Sequence, residues 1–340
     1  MRSTTVCTTP TRRRSLGTMW AIQISEQGGP EVLKWTELPD PAAGAGEIVV
    51  EVAAAGLNYI DTYQRSGLYQ VPLPYVLGLE GAGTVMEVGD GVTTLAVGDQ
   101  VAWATNPGSY SGCVAMSADN AVKVPDDIDL EVAAALPLQG MTAHFLATST
   151  YPLGPGDRCL IHAGAGGVGL LLIQIAKLHG AEVFTTVGTS EKAELAKVAG
   201  ADHTILYRDV DFAAAVVDLA GERPLDVVFD GVGKSVFSQS LTLLRPRGMM
   251  VTFGNASGPV DPVSPLDLSA NGSLFLTRPT LFHYLRTHAE LQSRADELFG
   301  WLASGDLDVR IGARYALRDA AEAHRALEGR ATTGKVLLVP

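Results

Sequence analysis

Cysteine is almost missing from this 340-residue chain: Cys7, Cys113 and Cys159 are the only three, and no two stand at a C-x-x-C spacing. That excludes a disulfide framework and a four-cysteine metal lobe, and the few thiols suit a reduced, cytoplasmic setting. Charged residues are also sparse, at 18% of the chain, and they lean acidic, with 25 Lys and Arg against 37 Asp and Glu. A formal net charge of −12 disfavours nucleic acid and anionic membrane as general partners. No apolar run approaches the ~18 residues that would span a bilayer. Repeats and low-complexity tracts are absent too, which argues against a solenoid or an extended disordered chain.

What the sequence does have is 46% hydrophobic content with 37 glycines and 18 prolines, enough for two domains rich in turns. Arg2, Arg12, Arg13 and Arg14 crowd an acid-free start, yet "AIQISEQGG" is too short and polar to act as an export segment. Residues 1–18 are expected to be a disordered extension, from an upstream start codon, before a fold beginning near Met19. From Ala21 to about Pro137, short β-rich runs such as "EIVVEVAAAG" and "GAGTVMEVG" alternate with turns, the pattern of a barrel-like all-β domain. Between Asp157 and about Thr277 the text becomes strand, helix, strand, with helices expected over 168–179, 191–199, 210–220 and 234–245. That is the rhythm of a doubly wound parallel sheet. An amphipathic helix follows over 286–305, and "KVLLVP" closes as a strand able to return to the first domain.

The segment "LIHAGAGGVGLLLIQIAK" carries the chemistry. Gly164, Gly166 and Gly169 spell G-x-G-x-x-G after a strand and at a helix start, where small residues and helix N–H groups accept a pyrophosphate. An NAD-binding fold places an acid about 20 residues on, for the adenosine ribose. Here Gly188 stands there, followed by Thr189, Ser190 and Lys192, hydroxyls and a cation that suit a 2′-phosphate better. NADPH is therefore the expected cofactor. Tyr207, ending the third strand of this region, is placed to cover the adenosine, and Glu191 is expected to face solvent at the helix start. Lys192 as a solvated surface lysine and Tyr207 as a packing residue are the plainer alternatives.

The stretches "AGLNYIDTYQRSGLY", "HAGAGGVGLLLIQIAK", "VVFDGVGK", "FGNASGPV", "GSLFLTRPTL" and "RATTGKVLLVP" together resemble the zinc-free quinone oxidoreductases, the zeta-crystallin-like members of the medium-chain dehydrogenase/reductase superfamily. The resemblance runs from about Met19 to Pro340 and implies a GroES-like β-rich catalytic domain plus a Rossmann domain. Its boundaries are expected at 19–142 and 285–340 for the first and 143–284 for the second. It also implies NADPH as hydride donor and a homodimer or homotetramer. Carried over by position, Asn58, Asp61, Tyr63 and Thr142 line the nicotinamide cleft. Gly166, Gly167 and Val168 lie at the pyrophosphate, and Gly188, Ser190, Lys192 and Tyr207 surround the adenosine phosphate. Val232, Phe253, Gly254, Asn255, Leu276 and Thr277 cover the far edge of the cofactor, with Arg330 near the adenosine and Lys335 near the cleft. Taken singly, Asn58 and Asp61 also read as turn caps, Phe253 as core and Arg330 as a surface cation.

No spacing of His and Cys provides a metal site, and "LNYID" stands where a zinc enzyme of this superfamily places its first cysteine ligand. Without a Lewis acid, the substrate has to be a ready acceptor. A quinone qualifies, and so does an α,β-unsaturated ketone that takes hydride at its β-carbon. Tyr63 is the candidate to orient the acceptor oxygen or donate a proton, with Asn58 and Thr142 assisting. An alkenal or enone reductase is the alternative enzyme. A nucleotide-binding protein with a structural or nucleic-acid role is the alternative outside enzymology.

Overall fold

The strand Glu47–Leu57 organises the first part of the structure, a computed structural model that describes residues 17–340. Its β-branched Ile48, Val49, Val50 and Val52 favour extended backbone, and all four are buried. It pairs antiparallel with Glu80–Val88, with Cys113–Ser117 and, through Leu57 to Ala55, with the C-terminal strand Lys335–Val339. The sheet then runs Ile311–Ala316, Lys335–Val339, Glu47–Leu57, Glu80–Val88, Gln100–Trp103, Val122–Lys123. A small sheet of Lys34–Pro39, Thr18–Ile24 and Tyr75–Val76 closes one side over a core that includes Ile22, Val85, Trp103 and Leu338. Gly17 and Thr18, the last two residues of the expected extension, are described, and Thr18 is already strand; residues 1–16 lie outside the described residues.

Helices interrupt this β-rich part more than the alternation suggested. Tyr59–Ser66, Leu130–Ala135 and Pro137–Phe145 are all helical. Asp129 starts the second by accepting from Glu131 N at 2.8 Å, and Pro137, which lacks the N–H that a first helical residue would leave unpaired, starts the third. The expectation of an all-β domain of short runs and turns to about Pro137 is corrected accordingly: "EVAAALP" is alanine-rich and has no period-2 pattern to hold it in a sheet.

The second part is a six-stranded parallel sheet in the order His203–Leu206, Glu182–Val187, Arg158–His162, Leu225–Asp230, Leu244–Thr252, Phe275–Thr277. Leu160, Phe184 and Val228 face one core, while Cys159, Ile161, Val183 and Phe229 face the other, so helices cover both sides. Chain order reverses on the two sides of Arg158–His162. A crevice forms at the carboxyl ends of strands at such a point. His288–Ser304, closed at its start by a capping box of Thr287 and Glu290, packs Ala295 and Leu298 into the core shared with Pro137–Phe145.

Candidate active site

A cavity of about 870 Å³ opens along that crevice, between the parallel sheet and the β-rich part. Asn58, Tyr63, Thr142, Gly166, Gly167, Val168, Gly169, Gly188, Lys192, Tyr207, Val232, Phe253, Gly254 and Arg330 share its wall. Asp61, Gly164, Thr189, Ser190, Asn255, Leu276, Thr277 and Lys335 do not.

The middle of the cavity is the glycine loop. Gly166 caps the helix Gly167–Leu178, whose first N–H groups face the cavity unpaired by any capping side chain. A Cβ on Gly164 would stand 2.0 Å from Thr185 Oγ1, and one on Gly169 would stand 2.4 Å from Ala163 O. Gly164 is therefore demanded by packing of the loop against the strand Glu182–Val187, and Gly169 by packing of the helix against the loop. The left-handed residue of the turn is Ala163, with φ of 57°, one residue before Gly164. The C-terminal segment braces the loop, because Gly334 N donates to Ala165 O at 2.9 Å.

At one end Gly188 leaves a space that a side chain would fill: its Cβ would lie 3.0 Å from Tyr207 Oη and 3.3 Å from Arg208 Nε. Lys192 reaches the same place and donates to Arg330 O at 2.7 Å. Its pKa is pushed down, first by desolvation and then by the charges of Arg208 and Arg330. None of the three cations makes an ion pair among the described residues. Mutual repulsion of this kind is relieved by a bound anion. Thr189 stands back because its hydroxyl caps the helix Ser190–Val198, accepting from Lys192 N at 3.3 Å, while Ser190 and Glu191 are exposed. Arg208 escaped the sequence reading; its only signal is that it follows Tyr207 directly.

At the other end, Tyr63 projects from the helix Tyr59–Ser66. Its Oη accepts from Asn255 N at 2.8 Å, which leaves the phenolic proton free to point into the cavity. Burial pushes its pKa well above the ordinary tyrosine value, so the group stays protonated. Thr142 lies on Pro137–Phe145, mostly buried, and its hydroxyl has no protein partner among the described residues. Asn58, expected to assist the acceptor, is corrected to a structural role. Its Nδ2 donates to Gly56 O and Glu80 Oε2, and its Oδ1 accepts from Gln139 Nε2 at 3.1 Å and Lys335 Nζ at 2.9 Å. An amide so engaged has no donor or acceptor left.

Asp61 is corrected in the same way. It is fully buried beneath its helix, where Oδ2 accepts from Asn58 N and Tyr110 Oη, each at 2.8 Å. Burial raises its pKa to about 7 against the pull of those two donors. Lys335, only 1% exposed, lies behind Asn58 in an ion pair with Glu80, itself 0% exposed. Glu80 also accepts from Leu138 N at 2.8 Å and so holds the start of Pro137–Phe145. Leu276 and Thr277 are half-buried on the edge strand Phe275–Thr277. The cavity-lining Tyr69 and Arg278 had no sequence signal beyond position in a resembling stretch, and Glu80 lacked even that.

Taken together, the cavity can seat an extended anionic ligand from Lys192 and Arg330, with Arg208 beside Gly188, past the helix start, with space for a flat acceptor against Tyr63 and Tyr69, whose rings meet edge-on at 5.2 Å. The family description "Alcohol dehydrogenase GroES-like domain" matches residues 44–145, and "Zinc-binding dehydrogenase" matches residues 167–304. The residues do not fit zinc. No three His, Cys, Asp or Glu side chains gather among the described residues, and of the buried carboxylates behind the cavity, Glu80 is neutralised by Lys335 and Asp61 turns to Tyr110. The chain is 47% identical to a quinone oxidoreductase of Pseudomonas aeruginosa, over 94% of this chain and 99% of that one. It is 41% identical to a 2-haloacrylate reductase of a Burkholderia species, over 94% and 98%. The crystal structure of an Escherichia coli quinone oxidoreductase complexed with NADPH is similar at a TM-score of 0.92, with 44% identity and coverage of 95% and 100%.

Proposed function

The chain belongs to the quinone oxidoreductases of the medium-chain dehydrogenase/reductase superfamily, and on that premise we propose that it reduces quinones with NADPH and without zinc. The observation that carries this reading is the continuity of one cavity, from the cations around Gly188, past the glycine loop, to the protonated Tyr63. Lys192, Arg208 and Arg330 hold the 2′-phosphate, with Ser190 at the helix start beside them. Gly167 and Val168 present N–H groups to the pyrophosphate, while Gly166, whose own N–H is donated to Ala163 O, lets the backbone come close. When bound, NADPH supplies the hydride. Everything else falls to the chain's own side chains. Tyr63 donates a hydrogen bond to the acceptor oxygen as negative charge grows there, Thr142 orients the reacting face, and the aromatic wall of Tyr63, Tyr69 and Phe253 excludes water.

Steady-state NADPH oxidation with 1,4-benzoquinone and with larger ortho-quinones tests the proposal, and silence with every quinone ends it. The alternative of a double-bond reductase draws support from the 2-haloacrylate reductase relative. Turnover of an alkenone that contains no quinone separates the two. The exposed edge strand Phe275–Thr277, with Phe275 58% and nearby Leu266 78% exposed, supports a homodimer or a homotetramer built through that edge. Light scattering of the purified chain measures it. Among the described residues no helix is long and apolar enough to cross a membrane, and no disulfide joins Cys113 to Cys159, which suits a cytoplasmic site of action.

A further inference from the structure

We propose that Arg278, acting with Tyr69, makes the acceptor end of the cavity selective for substrates carrying an anionic substituent such as a carboxylate or sulfonate. The inference rests on the reductase reading above and narrows its substrate class. Arg278 follows the edge strand Phe275–Thr277 and lines the cavity where Tyr63 and Tyr69 do. Its guanidinium contacts only neutral groups. Nη2 donates to Tyr69 Oη at 3.1 Å, and Nη1 makes a long 3.4 Å bond to Gly254 O. With the Asn255 amide turned so that its Nδ2 donates to Gly254 O, Asn255 Oδ1 accepts from Nη2 at 3.0 Å.

A guanidinium has five N–H donors, and these three contacts leave its Nε–H and one Nη1–H for a ligand. Among the described residues no carboxylate stands at ion-pair distance from Arg278, although Arg65, Arg158, Arg245 and Arg314 each have one. The single acidic side chain on the cavity wall, Asp211, caps the helix Phe212–Ala220 next to the adenosine end. Tyr69 Oη accepts from Arg278, so its own proton is available to the same ligand. In a chain of net charge −12 such a local cation is the feature that would draw an anionic acceptor in, within about 10 Å at ordinary salt. The phosphates of the cofactor are served elsewhere, by the glycine loop and by the cations around Gly188.

The test compares kcat/KM for 1,4-naphthoquinone-2-sulfonate with kcat/KM for 1,4-naphthoquinone in the full chain and in Arg278→Gln and Arg278→Lys. Intrinsic reactivity of the two quinones cancels when the ratio in a variant is divided by the ratio in the parent, and so does the fraction of active enzyme. Arg278→Gln should lower that ratio roughly ten- to a hundredfold, the span of a charge-assisted hydrogen bond, and Arg278→Lys should lower it less. Added salt should lower the ratio in the parent and leave it unmoved in Arg278→Gln. An unchanged ratio in Arg278→Gln overturns the proposal, as does a variant whose main defect is a raised KM for NADPH. A parent that oxidises NADPH with neither quinone removes the reductase reading instead. Equilibrium binding of the sulfonated quinone, followed by quenching of protein fluorescence, then decides: tenfold weaker binding in Arg278→Gln supports anion selection, and equal binding sinks it.

Discussion

The backbone N–H of Asn255 donates to the phenolic oxygen of Tyr63 across 2.8 Å, joining the loop after the strand Leu244–Thr252 to the helix Tyr59–Ser66 of the other domain. The bond does two things. It fixes the ring at the cavity wall, where Tyr63 is 8% exposed, and it uses the oxygen as an acceptor, so the hydroxyl proton has nowhere better to go than the ligand.

Tyr63→Phe should therefore lower kcat for a quinone by roughly tenfold or more, the effect of losing one donor aimed at developing charge. It also leaves Asn255 N without its acceptor, at a cost of about 1–3 kcal/mol if that N–H stays buried. Because burial raises the Tyr63 pKa, the parent enzyme should show no activity loss from its ionisation as pH climbs toward the ordinary tyrosine range. A descending limb in the pH–rate profile that vanishes in Tyr63→Phe would contradict the assignment.

Much of this arrangement could be read from local pattern. The strand and helix around "HAGAGGVG", the cationic turn at Gly188 and the return of the last strand all follow from spacing within a few residues or from a strong apolar run. What escaped depends on contacts distant in sequence. Glu80 and Lys335 pair across 255 positions, and nothing near either residue signals a buried ion pair. Asn58 looked like a reacting amide because of its place in "LNYID"; only the convergence of Gly56, Glu80, Gln139 and Lys335 on it shows that its hydrogen bonds are already spent. Arg278 and Arg208 carry no periodic signal, since a single cation in a loop reads as solvated surface until the cavity is seen.

The three cations at Gly188 predict cofactor preference. Lys192→Ala should raise KM for NADPH at least tenfold more than KM for NADH, and Arg208→Ala should do the same to a smaller degree, because only the 2′-phosphate engages them. Replacing Gly188 with Asp would fill the space beneath Tyr207 and Arg208 and set an acid among the cations, shifting preference toward NADH. Equal changes for both cofactors in Lys192→Ala would assign the lysine to packing against Arg330.

The Glu80–Lys335 pair predicts a stability cost that charge removal in both partners relieves. Lys335→Met leaves the Glu80 carboxyl buried at 0% exposure without its cation, which should destabilise the fold by about 3–5 kcal/mol. Glu80→Gln combined with Lys335→Met should recover at least half of that, since no charge is stranded. Urea denaturation of the single and double variants gives the comparison. A double variant no more stable than Lys335→Met would mean that Glu80 matters mainly through its bond to Leu138 N.

Asp61 predicts how stability varies with pH. Burial raises its carboxyl from 3.8 to about 7, so the folded chain holds that proton more tightly than the unfolded chain does. Its contribution is fully present below the unfolded value and is lost as pH rises through the folded one, roughly 3–4 kcal/mol across the window. Asp230, raised to about 6 by burial, works in the same direction, so the parent curve contains both. Asp61→Asn keeps an acceptor for Asn58 N at the start of the helix that carries Tyr63 but has no proton to lose. Denaturation at about pH 4 and about pH 8 should therefore show a smaller fall in stability for Asp61→Asn than for the parent. Parallel falls would mean that the Tyr110 hydroxyl and Asn58 N hold the carboxylate charged in spite of its burial.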